Sequence, residues 1–574
     1  MKFFHVYNEE YFEGLVKNNF INEDTGFKVQ HCFSVPAHMR FNTFAAKGSK
    51  LHSMIRDNNY PFYVDRISGG IAQFNYDFDK PLIREYRKLV GEWFLGFQQH
   101  ETGGNRALDW IRTLDRMEGQ KGPYENAEVL TSRSASRCAI TPEGTRLYGF
   151  NQGYPDEYAS LPYPETLEDL YRDFEGLFRR RMEATDGMIL PCDSGALLTK
   201  MQNDLGMQTF MPEVGCQIPH MRIQVALARG MALANKKKWG VYYECWRWTE
   251  DAGYSMPCFN SEPGNEWYLS QENHPDDFTS YGTSGGSSRL LQNRIYHYGL
   301  MSGAHLMGEE WGLNCSYSDM NTFELSHYGQ VKKDFIEFSR SHRQVEAKIP
   351  FAIVLPANYP CIRLIKDWPE IGQWATESLK RTFTDYEYKQ NGRIEDVLKL
   401  FFRRKDEDIV GNEGHTMQNT RFGDLFDIIY EDCPEEAFAK YEALIDLTDN
   451  ERFSNLNGNK YRILSGADPY ALGDEIEQLA KQVMPVYADC CHWLLSSDEN
   501  GRYITVFNNE GNERDLFKGD IIHHEADKIV MLTMKKASEP AIIQASSKNV
   551  KIEKIGDGRF ALTLPATDFA IIKY

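Results

Sequence analysis

Residues 303–312 read GAHLMGEEWG, a small, apolar run that ends abruptly in two adjacent carboxylates and a tryptophan. Such a run reads as a buried parallel strand, and carboxylates at its C-terminal tip would face the pocket in which a barrel enzyme does its chemistry. Side chains alternate along a strand, so only one of Glu309 and Glu310 can enter that pocket, while the other meets the surrounding helices or the rim. Glu310 is the inward candidate, since it shares its parity with Ala304, Leu306 and Gly308. The plainer alternative is a pair that caps the strand or forms a salt bridge.

The same pattern, an apolar run with a polar or aromatic end followed by a helix-like segment, recurs from residue 27 to about residue 356. FKVQHCFSVP begins at Phe27, PFYVDRISGG carries Asp65 and Arg66, and FLGFQQHE ends at His100 and Glu101. GMILPCDSG presents Asp193, QTFMPEVG presents Glu213, and WGVYYECWRW carries Tyr243, Glu244, Trp246 and Trp248. Residues 303–312 are then the seventh run and PFAIVLP the eighth. Eight strand–helix units predict a (β/α)8 TIM barrel, an α/β fold whose polar strand tips surround an aromatic-lined pocket. Residues 102–165 and 249–288 are too long for plain connections and are expected to lie over that pocket.

At 574 residues the chain exceeds what one core supports and should form about three domains. A net charge of −19 argues against a nucleic-acid partner, because phosphate binding needs clustered Lys and Arg. An aromatic share of 13% leaves room for stacking surfaces that suit a sugar ring. The start, MKFFHVYNEEYFEG, has no apolar leader core, and no run of about 18 apolar residues occurs, so no membrane association is expected. Eleven cysteines without framework spacing fit reduced thiols in a cytoplasm. Neither an HExxH pattern, a phosphate loop nor a Gly-x-Ser-x-Gly elbow occurs. His523-His524-Glu525, read as part of a strand, would splay its side chains to alternate faces, so neither a metal nor a cofactor is expected.

ARGMALANKKKWGVYYECW, YGLMSGAHLMGEEWG and LSHYGQVKKDFIEF together resemble the back half of barrel glycoside hydrolases, and the order of the segments C-terminal to them resembles the family 42 β-galactosidases. The resemblance implies a catalytic barrel over residues 1–356, an α/β amidotransferase-like (Rossmann-like) domain over 357–490 that forms trimer contacts, and a C-terminal β-sandwich over 491–574. It also implies a homo-oligomer, most simply a trimer, and a retaining enzyme that removes terminal sugars from small oligosaccharides or glycosides. One departure is plain: the Asn-Glu pair of such families has no counterpart at Cys192-Asp193-Ser194.

Glycoside hydrolysis needs two carboxyl groups across the anomeric carbon. The strand tips offer Glu101, Asp193, Glu213, Glu244 and Glu310, with Glu309 a sixth. By resemblance Glu310 is the nucleophile. Glu213 is the preferred acid/base, because the preceding Met-Pro gives it a partly apolar setting that favours a protonated acid. The rival scheme of α-glycosidase clans makes Asp193 the nucleophile, Glu213 the acid/base and Glu310 a transition-state stabiliser. Arg66, His100 and Glu101 would bind hydroxyls or orient the nucleophile, although His100 reads equally as an ordinary buried imidazole. Tyr243, Trp246 and Trp311 are candidates to stack on a sugar face or to belong to the core. A barrel that binds carbohydrate without cleaving it would keep the aromatic residues but need no carboxylate array.

Overall fold

Short apolar runs pair in parallel through most of the first 310 residues because each is followed by a helix that returns the chain to the same end of the sheet. The computed structural model describes residues 1–9, 11–29, 37–65, 67, 77–100, 138–140, 146–148, 167–192, 198–215, 220–245, 247–249, 253–255, 287–310, 312, 316–319, 321–357, 359, 384–402, 410–411, 413, 417–450, 460–515, 519–536 and 539–574. Eight parallel strands surround one lumen: β1 (Lys2–Tyr7), β2 (Thr25–Val29), β3 (Phe62–Val64), β4 (Phe94–His100), β5 (Ile189–Cys192), β6 in two pieces (Thr209–Phe210 and Glu213–Gly215), β7 (Lys238–Glu244) and β8 (Leu306–Glu309). The ladder runs β5-β4-β3-β2-β1-β8-β7-β6. Between its two ends the Met211 amide donates to the Pro191 carbonyl at 3.2 Å, so the barrel is nearly closed.

This arrangement corrects the strand count made from the sequence. The first barrel strand is KFFHVY at the N-terminus, paired with β2 on one side and β8 on the other. PFAIVLP is not a barrel strand. Its residues Phe351–Leu355 form β9, which pairs with Phe426–Tyr430 and Ala443–Asp446, with Ile463–Ser465 beyond, in a separate four-stranded parallel sheet. Both runs are short and continuously apolar, and hydrophobic periodicity does not say which sheet such a run joins. The barrel strands that carry Glu213 and Glu310 are therefore the sixth and eighth.

Inside the barrel, Phe4, Tyr63, Leu95, Leu190, Cys192, Met211, Tyr242 and Leu306 form one buried cluster, as a TIM-type core requires. On the outside, helix Met221–Asn235 is buried nearly all round because it lies between the barrel and the β9 sheet. Arg222 donates to Asp424 at 2.9 Å and Arg229 to Asp427 at 2.6 Å, each pair buried, while Gly230 lets the helix approach the Ile428 carbonyl. After residue 483 the described strands are antiparallel, in a five-stranded sheet that includes His492–Asp498 and Gly501–Phe507 and a four-stranded sheet that includes Lys528–Met534 and Arg559–Leu564. His523-His524-Glu525 lies at a one-turn 3-10 helix, His524–Ala526, rather than in a strand. No helix among the described residues is long and apolar enough to cross a membrane.

Candidate active site

Three side chains from opposite walls converge at the carboxyl end of the lumen: His100 from β4, Glu213 from β6 and Glu310 just past β8. All three are at least 96% buried. His100 Nε2 lies 3.0 Å from Glu213 Oε1 and 3.9 Å from Glu310 Oε1, and one ligand atom from each of the three falls within 4.8 Å of the others. The edge of the imidazole meets Tyr242, with ring centroids 5.9 Å apart.

Local backbone chemistry aims each of these groups. On β4 the register slips by one residue, so that Leu95 and Gly96 together oppose Tyr63. Gly96 has φ +87°, and a Cβ there would lie 2.4 Å from the Met188 carbonyl oxygen, so the bulge requires glycine. Without the bulge the parity that buries Leu95 in the lumen would send His100 to the outside. On β6, Pro212 separates the two strand pieces, and Glu213 then registers with Tyr242 of β7. On β8 the parity places Glu310 in the lumen, with its amide bonded to the Tyr243 carbonyl at 2.9 Å.

Glu309 faces the other way. It accepts from Tyr296 and, at 2.6 Å, from Lys332 on the two helices outside β8. Tyr243 also faces outward, with its hydroxyl 2.5 Å from Ser287 Oγ and its ring against Tyr296. Neither lines the lumen: Glu309 takes the outward place that parity leaves it, so it is not a sugar contact, and Tyr243 belongs to the core between β7 and its helices instead of stacking on a sugar. Glu244 has the inward parity at the tip of β7 and is buried; a Cβ on the neighbouring Gly215 would lie 1.8 Å from its Oε2, so only glycine leaves room for that carboxylate. Arg66, Glu101, Asp193, Trp246 and Trp311 lie outside the described residues. So does most of the two long insertions, which leave the barrel from the carboxyl ends of β4 and β7 and contain two short antiparallel pairs, Cys138–Ile140 with Arg146–Tyr148 and Arg247–Thr249 with Gly253–Ser255.

Lys28 and Tyr242 were not singled out from the sequence. Lys28 sits on β2 with no exposed surface and donates to the Glu310 carbonyl at 2.6 Å and to the Tyr242 hydroxyl at 3.1 Å. It also pairs with Asp65 at 3.5 Å. The signal for it was present in FKV, where a lysine shares the inward parity of an otherwise apolar strand. The whole arrangement can exchange protons between two carboxyl groups through or beside an imidazole. Its His, Glu, Glu donor set also has the composition of a divalent-cation site.

No protein-family model and no curated protein matches this chain. Solved structures do. The catalytic module of a family 98 glycoside hydrolase from Streptococcus pneumoniae, in complex with the LewisY pentasaccharide blood group antigen, matches with a TM-score of 0.41 at 9% identity over 100% of this chain and 98% of that one. A catalytic mutant of a GH42 β-galactosidase from G. stearothermophilus matches with a TM-score of 0.46 at 9% identity over 100% and 98%. An α-L-fucosidase from Paenibacillus thiaminolyticus matches with a TM-score of 0.41 at 10% identity over 99% and 96%.

Proposed function

We propose that the protein is a retaining glycoside hydrolase in which Glu310 is the nucleophile and Glu213 the acid/base. The observation that carries this reading is the separation of the two carboxyl groups, whose nearest ligand oxygens lie within 4.8 Å of each other at the mouth of a barrel. Retaining enzymes hold their carboxyl groups about 5–5.5 Å apart, close enough for one to bond the anomeric carbon, whereas inverting enzymes leave about 6.5–9.5 Å for a water molecule. Glu310 attacks the anomeric carbon while Glu213 gives its proton to the departing oxygen; the bond to the aglycone breaks as the glycosyl ester forms. Glu213, now a carboxylate, takes a proton from water, which attacks the ester and regenerates Glu310. The substrate is a terminal sugar on a small glycoside. The scheme with Asp193 as nucleophile rests on a residue outside the described set and gains no support from the Glu213–Glu310 approach.

A second reading, a divalent cation held by His100, Glu213 and Glu310, is favoured by the convergence of their ligand atoms. Both readings are tested by turnover of a panel of aryl glycosides with and without a chelator. A retaining glycosidase hydrolyses at least one member in either condition, a metal-dependent site loses activity on chelation, and a barrel that only binds sugar turns over none.

The domain order extends the proposal. We read residues 357–490, joined by β9, as the amidotransferase-like unit and the C-terminal strands as a β-sandwich, and we place the protein in the cytoplasm as a homotrimer. Cys433, Cys490 and Cys491, free among the described residues, support a reducing compartment. A monomeric mass by light scattering at micromolar concentration would remove the trimer.

A further inference from the structure

We propose that Lys28 is a positioning residue for Glu310, a cross-brace that fixes the tip of β8 relative to His100 and Glu213; the inference rests on the reading of Glu310 as nucleophile and deepens it. A buried ammonium costs several kcal/mol to dehydrate unless its donors are matched and its charge is paired. Lys28 meets both conditions by reaching across the lumen. From β2 it donates to the carbonyl of Glu310 at the end of β8 and to the hydroxyl of Tyr242 on β7, and it pairs with Asp65 beside β3. Its ammonium also lies 5.1 Å from the centroid of the Tyr242 ring. Four strands are thereby tied through one nitrogen, which bonds the backbone of one of the three converging residues.

The tie has its point of application where the ladder ends. The Glu310 amide is held by the Tyr243 carbonyl, and the Glu310 carbonyl is held by Lys28. Together they fix the peptide units on either side of the Glu310 Cα, and hence the direction in which its carboxylate leaves the backbone. Tyr242 is shared by the two halves of the site, because its hydroxyl accepts from Lys28 while its ring meets the imidazole of His100. Lys28 itself does not touch the reacting atoms in this account.

The test compares Lys28→Met with the parent enzyme on the best aryl glycoside of the panel and, independently, by amide hydrogen exchange. A reacting group displaced by about 1 Å costs on the order of 100-fold in rate. The expected result is a fall in kcat of about 100-fold with KM changed by less than about threefold, together with faster exchange in peptides covering residues 306–310 and unchanged exchange in β4 and β5. An unchanged kcat, a loss confined to KM, or exchange that rises evenly through the barrel would overturn the brace. If Lys28→Met does not fold because Asp65 is left charged in the lumen, Lys28→Met combined with Asp65→Asn carries the same two measurements. Should the parent hydrolyse no glycoside, the proposed function fails, and the exchange at residues 306–310 alone still decides whether Lys28 fixes the strand tip.

Discussion

The imidazole Nε2 of His100 stands 3.0 Å from Oε1 of Glu213, and both side chains are buried. In the acid form of the proposed catalyst, an Nε2–H of His100 donates to Glu213 Oε1, which leaves the acid proton on Oε2 for the departing oxygen, and the same bond steadies the carboxylate that then takes a proton from water. His100→Asn should therefore weaken general acid catalysis without removing the nucleophile. We expect a loss of about 10-fold to 100-fold in kcat on substrates with poor leaving groups, at or below the low end of the roughly 100-fold to 10,000-fold that a general acid contributes, because the acid itself remains, and little loss on dinitrophenyl glycosides. Equal losses on both substrate classes would show that His100 serves the nucleophile instead.

Glu213→Ala should separate the two chemical steps. The variant forms the glycosyl ester from activated substrates but has no group to activate water, so turnover stalls, and azide, which needs no such help, should restore it and give a glycosyl azide of retained configuration. Azide rescue from Glu244→Ala, with near-normal activity in Glu213→Ala, would move the acid/base one strand along. Asp193→Ala yielding an inverted azide would install the rival arrangement.

Glu309 and Lys332 form a buried pair outside β8, at 2.6 Å. Removing one partner of such a pair leaves a charge without its counter-ion and costs about 3–5 kcal/mol, whereas replacing both with apolar groups is often nearly neutral. Lys332→Met should accordingly lower unfolding stability by that amount, and the double variant Lys332→Met, Glu309→Leu should recover most of it in chemical denaturation. No recovery would mean that Tyr296 and Ser316, which also bond within this cluster, carry the stability instead.

How much of this was legible in the sequence varies with the kind of signal. The parity of residues 304–310 separates Glu310 from Glu309 because one buried wall imposes strict alternation, and the structure places both carboxylates as that rule requires. The fourth strand is different: FLGFQQH carries no mark that Leu95 and Gly96 will share one partner, and the bulge that turns His100 inward depends on the approach of Met188, 92 residues later. KFFHVY takes the barrel place expected of PFAIVLP because short apolar runs do not announce their neighbours. Lys28 shares the inward parity of its strand in the sequence, but a lone lysine in a strand usually reaches solvent, and closure of the barrel is what buries it.

Acid should destabilise the fold through histidines buried without charge. Burial, with Arg222 nearby, pushes His492 down to about 4, and burial pushes His297 down to about 4. Above pH about 6.5, the ordinary histidine value, neither the folded nor the unfolded form of these residues holds the proton. Between about 6.5 and 4 the unfolded chain binds protons that the folded chain does not, so stability falls as pH falls, by a few kcal/mol in all, and below about 4 this contribution levels off. Asp424 adds to the loss at still lower pH: burial would raise it, but Arg222, His492 and Arg229 outweigh burial and hold it below its usual range, so its stabilisation disappears as it protonates. Denaturant midpoints should decline from pH 7 to pH 5 and decline less in His297→Phe. A flat profile would contradict the buried-neutral assignment.

The central claim, that Glu310 forms a covalent bond to a sugar, is tested most directly by trapping that bond. A 2-deoxy-2-fluoro glycoside with an activated leaving group forms the glycosyl ester faster than the ester hydrolyses, because the fluorine disfavours the cationic transition states of both steps and the leaving group speeds only the first. After incubation with such compounds matched to the sugars turned over in the aryl glycoside panel, mass spectrometry of the intact protein and of its peptides should show one fluoroglycosyl adduct on the peptide that contains Glu310. Label on a peptide containing Asp193, Glu213 or Glu244 in place of Glu310, or turnover with no adduct from any matched compound, would contradict the account.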